Sequence, residues 1–203
     1  MNDTKQRILD VSLELFSQSG FSAVSIRDIC GLVQIRESSV YYYFKNKQAI
    51  FDELLRLFEE KSNDMMCQLD TALAEKPFSA EENFYQTVCD TFFDGYLMDS
   101  FCNKVIRLLL IEQFSSSAIQ KVYDRWMFTE PLSFQSKVFA ALIQMGVIRG
   151  KDSDYLAVKY YAPIQFFAQR WLFSGTLTEE RKSAFRTNAY QYIQRFFNEI
   201  REV

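Results

Sequence analysis

Histidine is absent from the 203 residues, which excludes a catalytic triad built on an imidazole base and the commonest zinc-ligand sets. Neither G-x-x-x-x-G-K-[ST] nor G-x-G-x-x-G occurs among the six glycines, so no glycine-rich phosphate cradle is visible. Only three prolines interrupt the chain, and no alternating run flanked by hairpin turn signals stands out, which argues against a sheet. No stretch reaches the roughly 18 consecutive apolar residues of a membrane helix. The opening MNDTKQRILDVSLELF lacks an apolar signal core followed by a small-residue cleavage site, so export is not expected. The four cysteines (Cys30, Cys67, Cys89, Cys102) form no C-x-x-C pair. In a cytoplasmic chain they read as free core thiols rather than a disulfide or zinc framework. The expectation is a soluble, cytoplasmic, non-enzymatic protein with no metal, no cofactor and no membrane partner.

What is present is apolar, aromatic and helical in pattern. Hydrophobic residues make up 48% and aromatics 16%, well outside the disordered regime, and the length suffices for a real core. The net charge of -3 argues weakly against a nucleic-acid partner. Residues 1–47, however, carry six Lys/Arg against five acids, so the acidity lies in the rest of the chain.

The first fifty residues read as short helices. Asp3 or Thr4 can cap a first helix with an apolar stripe of Ile8, Val11, Leu15 and Phe16, ended by Gly20. Ser25-Ile26-Arg27-Asp28 fits a capping box opening a second helix, whose Ile26, Ile29, Cys30 and Val33 share one face. After Gln34 a third helix runs from about Arg36 to Phe44, and Asn46 can cap a long fourth. Two short helices joined by a tight turn are a helix-turn-helix, whose second helix can lie in the major groove. At 100° per residue Val40, Tyr43 and Phe44 fall on one arc of that helix, and Ser38, Ser39, Tyr41 and Tyr42 on the other. The outer arc combines hydroxyls that can donate to phosphate with rings that can touch thymine methyls. Ser25, Arg27 and Lys47 sit at helix starts, where free N–H groups and a positive dipole end favour phosphate.

The stretches RILDVSLELFSQSGFSAVSIRDIC and SSVYYYFKNKQAIFDELL make residues 4–51 resemble the DNA-binding domain of the TetR family of bacterial transcriptional regulators. That resemblance implies an all-α chain, with a three-helix head over residues 1–46 and a helical ligand-binding and dimerisation body over 47–203. It also implies DNA contact at Ser25, Arg27, Glu37, Ser38, Ser39, Tyr41, Tyr42 and Lys47, to which Arg36 is added as a neighbouring cation. Gln34 stands where the family often has glycine, so it must take a positive φ or form another turn. Glu37 stands where a cation or polar neutral residue is common; it could accept from a cytosine amino group. The implied function is a ligand-responsive regulator, a repressor by family analogy, binding a double-stranded operator as a homodimer. The rival reading is an all-helical small-molecule-binding or scaffold protein without sequence-specific DNA binding.

For the body, helices are expected over about 81–98, 102–127, 131–145, 153–173 and 178–201, with Pro163 kinking or interrupting the fourth. The segment 74–83 is the best linker candidate. Phe92, Phe93, Tyr96, Phe114, Trp126, Phe139 and Phe166 are candidates to line an apolar effector pocket. Arg107, Glu112, Arg125 and Arg170 are candidates to orient a polar group on the ligand. The last two helices carry aromatic stripes, and Tyr160, Ile164, Trp171, Tyr192 and Phe196 are the residues expected to pack on a partner subunit in a four-helix bundle.

Overall fold

Seventeen residues from Asp3 to Ser19 wind into α1, burying Ile8, Leu9, Ser12, Leu13, Phe16 and Ser17. The buried face is rotated from the expected stripe, and Val11 and Leu15 are only half-buried. The structure, a computed structural model, describes residues 3–75, 83–148 and 152–200. Most of the segment expected as a linker, 76–82, lies outside them. Its helices continue as α2 (Ile26–Val33), α3 (Glu37–Tyr43), α4 (Lys47–Glu75), α5 (Asn83–Phe92), α6 (Ser100–Glu112), α7 (Ser117–Asp124), α8 (Glu130–Gln144), α9 (Ser153–Ala168) and α10 (Glu179–Ile200). The described residues contain no β-strand, and none of their helices is long and apolar enough to cross a membrane.

The chain forms two compact units, Met1–Asn63 with Phe101–Tyr123, and Asp64–Ser100 with Asp124–Val203. In the first, each short helix is fixed locally. Gly20 adopts φ 82 and its N–H donates to the Phe16 carbonyl (2.9 Å), closing α1 with a left-handed residue. The Asn46 side chain accepts from the Ala49 N–H at 2.8 Å and opens α4. From α4, Ile50, Phe51, Leu54 and Phe58 are buried, each such side chain contributing about 1.5–3 kcal/mol. α6 belongs to the same unit through Cys102, Val105, Ile106, Leu108 and Leu109.

The single helix expected over 102–127 is broken at residues 113–116. Ser115 donates to the Glu112 carbonyl through both its N–H (2.8 Å) and its hydroxyl (2.7 Å), and Ser116 Oγ accepts from the Ile119 N–H (3.2 Å). Serine hydroxyls that bond the local backbone compete with helix continuation.

The second unit contains three π turns among its described residues: Phe93–Leu97 after α5, Arg125–Thr129 before α8 and Gln169–Phe173 after α9. Arg181 from α10 caps the last of these. Its Nε donates to the Trp171 carbonyl (2.7 Å), and Nη2 donates to the Arg170 carbonyl (3.2 Å) and to Ser174 Oγ (2.7 Å). The core is aromatic: Phe139, Tyr160, Phe196 and Phe197 pack with ring centroids 5.4–6.3 Å apart, mostly edge to face.

Pro163 does not interrupt α9, which runs from Ser153 to Ala168. Proline has no N–H for the carbonyl four residues earlier, here that of Lys159. The Tyr192 hydroxyl donates to that carbonyl. A side chain from α10 thus satisfies the group that the proline orphans, and the helix carries on.

Candidate nucleic-acid interface and effector cavity

The helix-turn-helix is set by three local devices. Ser25 caps α2, accepting from the Asp28 N–H at 3.2 Å while Asp28 Oδ2 accepts from the Ser25 N–H at 2.8 Å, so the capping box is complete. The Ser25 hydroxyl also donates to Asp28 Oδ2 (2.6 Å), and these bonds hold the Asp28 carboxyl below its usual pKa. Gln34 takes φ 59, the only positive φ outside glycine among the described residues, and its N–H donates to the Cys30 carbonyl. The left-handed turn is therefore made without glycine. Arg7 of α1 adds a contact that sequence reasoning missed: its Nη2 donates to the Val33 carbonyl (2.8 Å) at the end of α2. Its signal was a cation on α1 and the orphan carbonyls that every helix end leaves.

On α3, Val40 is fully buried, and Phe44 closes the helix from below with Lys5 Nζ 5.6 Å from its ring centroid. Tyr43 is half-buried, its ring edge-on to Tyr42 at 4.9 Å. The opposite arc faces outward: Tyr42 is 81% exposed, Tyr41 52%, and Glu37 and Ser38 are exposed with Ser39 half-buried. Arg27, Arg36, Glu37 and Ser39 line one broad open concavity with Gly31 and Gln34. Eight of the nine expected contact residues thus share the α2–α3 segment, although the Ser25 hydroxyl is occupied by Asp28.

Lys47 is the exception. Its Nζ donates to the carbonyls of Phe21 (2.7 Å) and Val24 (2.6 Å) and lies 4.3 Å from the Phe21 ring centroid. The expectation of a phosphate-gripping ammonium is corrected to an internal staple on the α1–α2 turn. From α6, buried Glu112 accepts from the Phe21 N–H at 2.8 Å. This corrects its reading as a ligand-orienting group.

An apolar cavity lies in the second unit, with about 20 Å³ of free space, room for about one water. Met66 and Leu69 of α4 form one wall, and Val88, Cys89, Phe92 and Phe93 a second. Pro131, Phe134 and Gln135 of α8 face Tyr160, Tyr161 and Ile164 of α9. The Tyr161 hydroxyl donates to the Met127 carbonyl (2.8 Å) in a π turn, and the Tyr160 hydroxyl lies 3.7 Å from Cys89 Sγ.

Of the expected pocket residues, only Phe92 and Phe93 line this space. Tyr96, Trp126 and Phe139 are buried elsewhere in the unit's core, at 0–1% exposure. Phe166 is 59% exposed; Phe114, at 91%, and half-buried Arg107 belong to the other unit. Arg125 pairs with Glu130 (3.0 Å) and exposed Arg170 sits 4.9 Å from the centroid of the Trp171 ring. Of the expected partner-facing residues, Tyr160, Ile164 and Phe196 are 1–3% exposed within their own unit, Tyr192 serves Lys159, and Trp171 is half-buried. A helical stripe identifies buried positions without saying which neighbour buries them.

A capped α2, a left-handed turn at Gln34 and an outward α3 arc define a helix-turn-helix protein. The sequence profile of bacterial regulatory proteins of the tetR family matches residues 8–54. The chain is 26% identical to the HTH-type transcriptional regulator AcrR of Shigella flexneri over 81% of each chain. It is 23% identical to IcaR of Staphylococcus aureus, the negative transcriptional regulator of the biofilm operon icaADBC, over 95% of this chain and 98% of that one. The head, residues 8–54, thus matches the tetR family of bacterial regulatory proteins, and over most of its length the chain is similar to transcriptional regulators. Among solved structures, the ketosteroid transcriptional regulator KstR2 of Mycobacterium tuberculosis shares its fold, with TM-score 0.70 and 19% identity over 100% of this chain and 97% of that one. SmeT, the repressor of the Stenotrophomonas maltophilia multidrug efflux pump SmeDEF, does so with TM-score 0.62 and 15% identity over 99% and 92%.

Proposed function

We propose that the chain is an effector-responsive repressor that binds a pseudo-palindromic DNA operator as a homodimer and leaves it when a small apolar molecule fills the cavity. The observation that carries this reading is the outer arc of α3. Two large rings, Tyr41 and Tyr42, stand in solvent beside Ser38 on a helix whose other arc is buried. Their rings and hydroxyls suit base edges and phosphates, and Arg27 and Arg36 supply cations beside them. Glu37 repels phosphate and suits a cytosine amino group. The rival reading of a helical binding protein without DNA recognition leaves those exposed rings with no role. The names of IcaR and SmeT, a negative regulator and a repressor, support repression.

Dimerisation is assigned to α9, on a face different from the one read in sequence. Tyr155 (64% exposed), Val158 (51%), Ala162 and Phe166 (59%) recur at spacings of three and four, so one apolar stripe of α9 faces solvent. A dimer supplies two recognition helices, and a pseudo-palindromic operator offers them successive major grooves about 34–36 Å apart. α4 contributes residues to both units, Lys47–Asn63 to one and Asp64–Glu75 to the other. An effector that binds two α4 positions with different affinity shifts their populations, and with them the fit to DNA.

Selection of bound DNA from a random pool, followed by titration of the enriched site in rising salt, tests the reading. A repressor enriches an inverted repeat and loses affinity steeply with salt; failure to enrich any sequence refutes it. Phe166→Asp places a charge in the α9 stripe and should give monomers by sedimentation at concentrations where the parent chain is dimeric. A Phe166→Asp chain that remains dimeric removes α9 from the interface.

A further inference from the structure

Among the described residues, the cavity lining carries no charged side chain. Charges on the same helices are engaged elsewhere: Asp94 with Arg186, Asp90 with the Tyr190 hydroxyl, Lys159 with Glu199 and Glu130 with Arg125. An ionised ligand entering this space would give up its water for apolar walls and find no counter-ion there. The rings are plentiful, however: Phe92, Phe93, Phe134, Tyr160 and Tyr161 all line it. Among the five only Phe92 is half-buried; the others are buried. Phe92 stacks on Tyr96 (5.8 Å, 27°) and tilts against Tyr161 (6.2 Å). The free space is too small for any organic molecule, so a ligand must displace something, and the half-buried ring is the one with somewhere to go.

The polar groups on the lining differ in how they are engaged. The Tyr161 hydroxyl is bound to Met127, and the Tyr160 hydroxyl lies against Cys89. Half-buried Gln135 is among the lining residues, and its amide makes no hydrogen bond to the described residues. Such an amide offers one acceptor and two donors.

We propose that this cavity takes an uncharged, planar aromatic molecule of one or two rings bearing one hydrogen-bonding group, admitted by displacement of Phe92 and read by the Gln135 amide. The ligand ring takes over the place of the Phe92 ring, stacking on Tyr96 and meeting Tyr161 at an angle, the arrangements aromatic pairs prefer. The proposal names the chemistry of the effector and so rests on the effector-responsive reading above.

Four naphthalene probes on the full-length chain test it: naphthalene, 1-naphthol, 1-naphthalenesulfonate and (1-naphthylmethyl)trimethylammonium. The expected order places 1-naphthol tightest, with one site per chain. Naphthalene follows at roughly 3–10-fold weaker, the worth of a neutral hydrogen bond, and both ions bind weaker still. Gln135→Met keeps length and apolar contact; it should cut 1-naphthol affinity to that of naphthalene and leave naphthalene unchanged. Binding of the sulfonate as tight as that of 1-naphthol overturns the proposal. So does equally tight binding of the ammonium probe, which would mean that the rings act as a cation–π cage. No binding of either neutral probe, or a Gln135→Met chain with undiminished preference for the hydroxyl, also overturns it. Operator affinity is measured separately with 1-naphthol present. Binding in the expected order without any change in operator affinity leaves the ligand class standing and counts against effector-driven release.

Discussion

Gly20→Ala perturbs the point where α6 meets the turn after α1, and its effect can be worked from the geometry. Gly20 sits at φ 82, where an alanine is disfavoured by about 1–2 kcal/mol. A Cβ built there would lie 3.0 Å from Glu112 Oε1 and 3.1 Å from Ile111 Cγ2, both tighter than ordinary contact. Glu112 must therefore give way, and it is the acceptor for the Phe21 N–H at 2.8 Å. A hydrogen bond to a charged group contributes about 1.5–3 kcal/mol, of which a displaced carboxylate forfeits a part. The expected total is about 2–4 kcal/mol of lost stability in the first unit.

The assay must see that unit. Both tryptophans, Trp126 and Trp171, lie in the other one, so urea unfolding is followed by circular dichroism and the Phe21 amide by hydrogen exchange. The decisive comparison is a double-mutant cycle with Glu112→Ala. Without the carboxylate the contact with Oε1 disappears, and Gly20→Ala should then cost little beyond its backbone strain. A coupling of about 1 kcal/mol is expected between residues that touch. Strict additivity, or a Gly20→Ala chain as stable as its parent with a protected Phe21 amide, refutes the reasoning.

Tyr192→Phe removes the donor to the part-buried Lys159 carbonyl and should cost about 1 kcal/mol by urea unfolding, the worth of one hydrogen bond; adding Pro163→Ala, which restores the helical N–H, should recover part of it. Glu53 is held down to about 2 by hydrogen bonds from Arg56 and Lys5. A depressed carboxylate stabilises the fold above its unfolded pKa near 4.5, and that contribution fades as pH falls from 4.5 towards 2. The pair is partly solvated, so about 1 kcal/mol should vanish across that window, and Glu53→Gln should flatten the profile there; an unchanged profile counts against it. Tyr42→Ala should weaken operator binding while leaving stability within about 0.5 kcal/mol. Lys47→Met should do the reverse, lowering stability while leaving the salt dependence of DNA binding unaltered, whereas loss of a phosphate contact would reduce that slope by about one.

The head was legible because its determinants are local. The Ser25–Asp28 box and the Asn46 cap each act over four residues or fewer and stand where the residue pattern puts them, and at Gln34 the structure takes the positive φ, one of the two turns left open there. The all-helical architecture follows from periodicity in the same way. What could not be read depends on partners far apart in the chain. Lys47 looks like a phosphate ligand until the carbonyls of Phe21 and Val24, more than twenty residues earlier, are brought to its ammonium. Pro163 looks like a break until Tyr192 supplies the missing donor. Tyr160 and Ile164 look like interface residues because a stripe records burial alone; in the fold they wall the cavity, and Tyr155, Val158 and Phe166 take the open side.

One residue in the head shows how such distant contacts combine. The resemblance to the family marks Gly20-Phe21 as a helix end followed by an aromatic, but not why the aromatic is wanted. Phe21 packs edge-on between Phe16 of α1 (5.4 Å) and Phe51 of α4 (5.0 Å). Its N–H is held by Glu112 of α6 and its carbonyl by Lys47 of α4. An anion and a cation thus grip the two sides of one residue, and each binds the backbone group of complementary polarity. Three residues later Val24 gives its carbonyl to the same ammonium, and the next residue, Ser25, caps α2. Neither α4 nor α6 can shift without pulling on this turn, and α2 begins where the turn ends. Glu112 and Lys47 are therefore placed to pass the state of two longer helices to the helix-turn-helix, which makes an inward-facing Lys47 more informative than the phosphate contact it replaced.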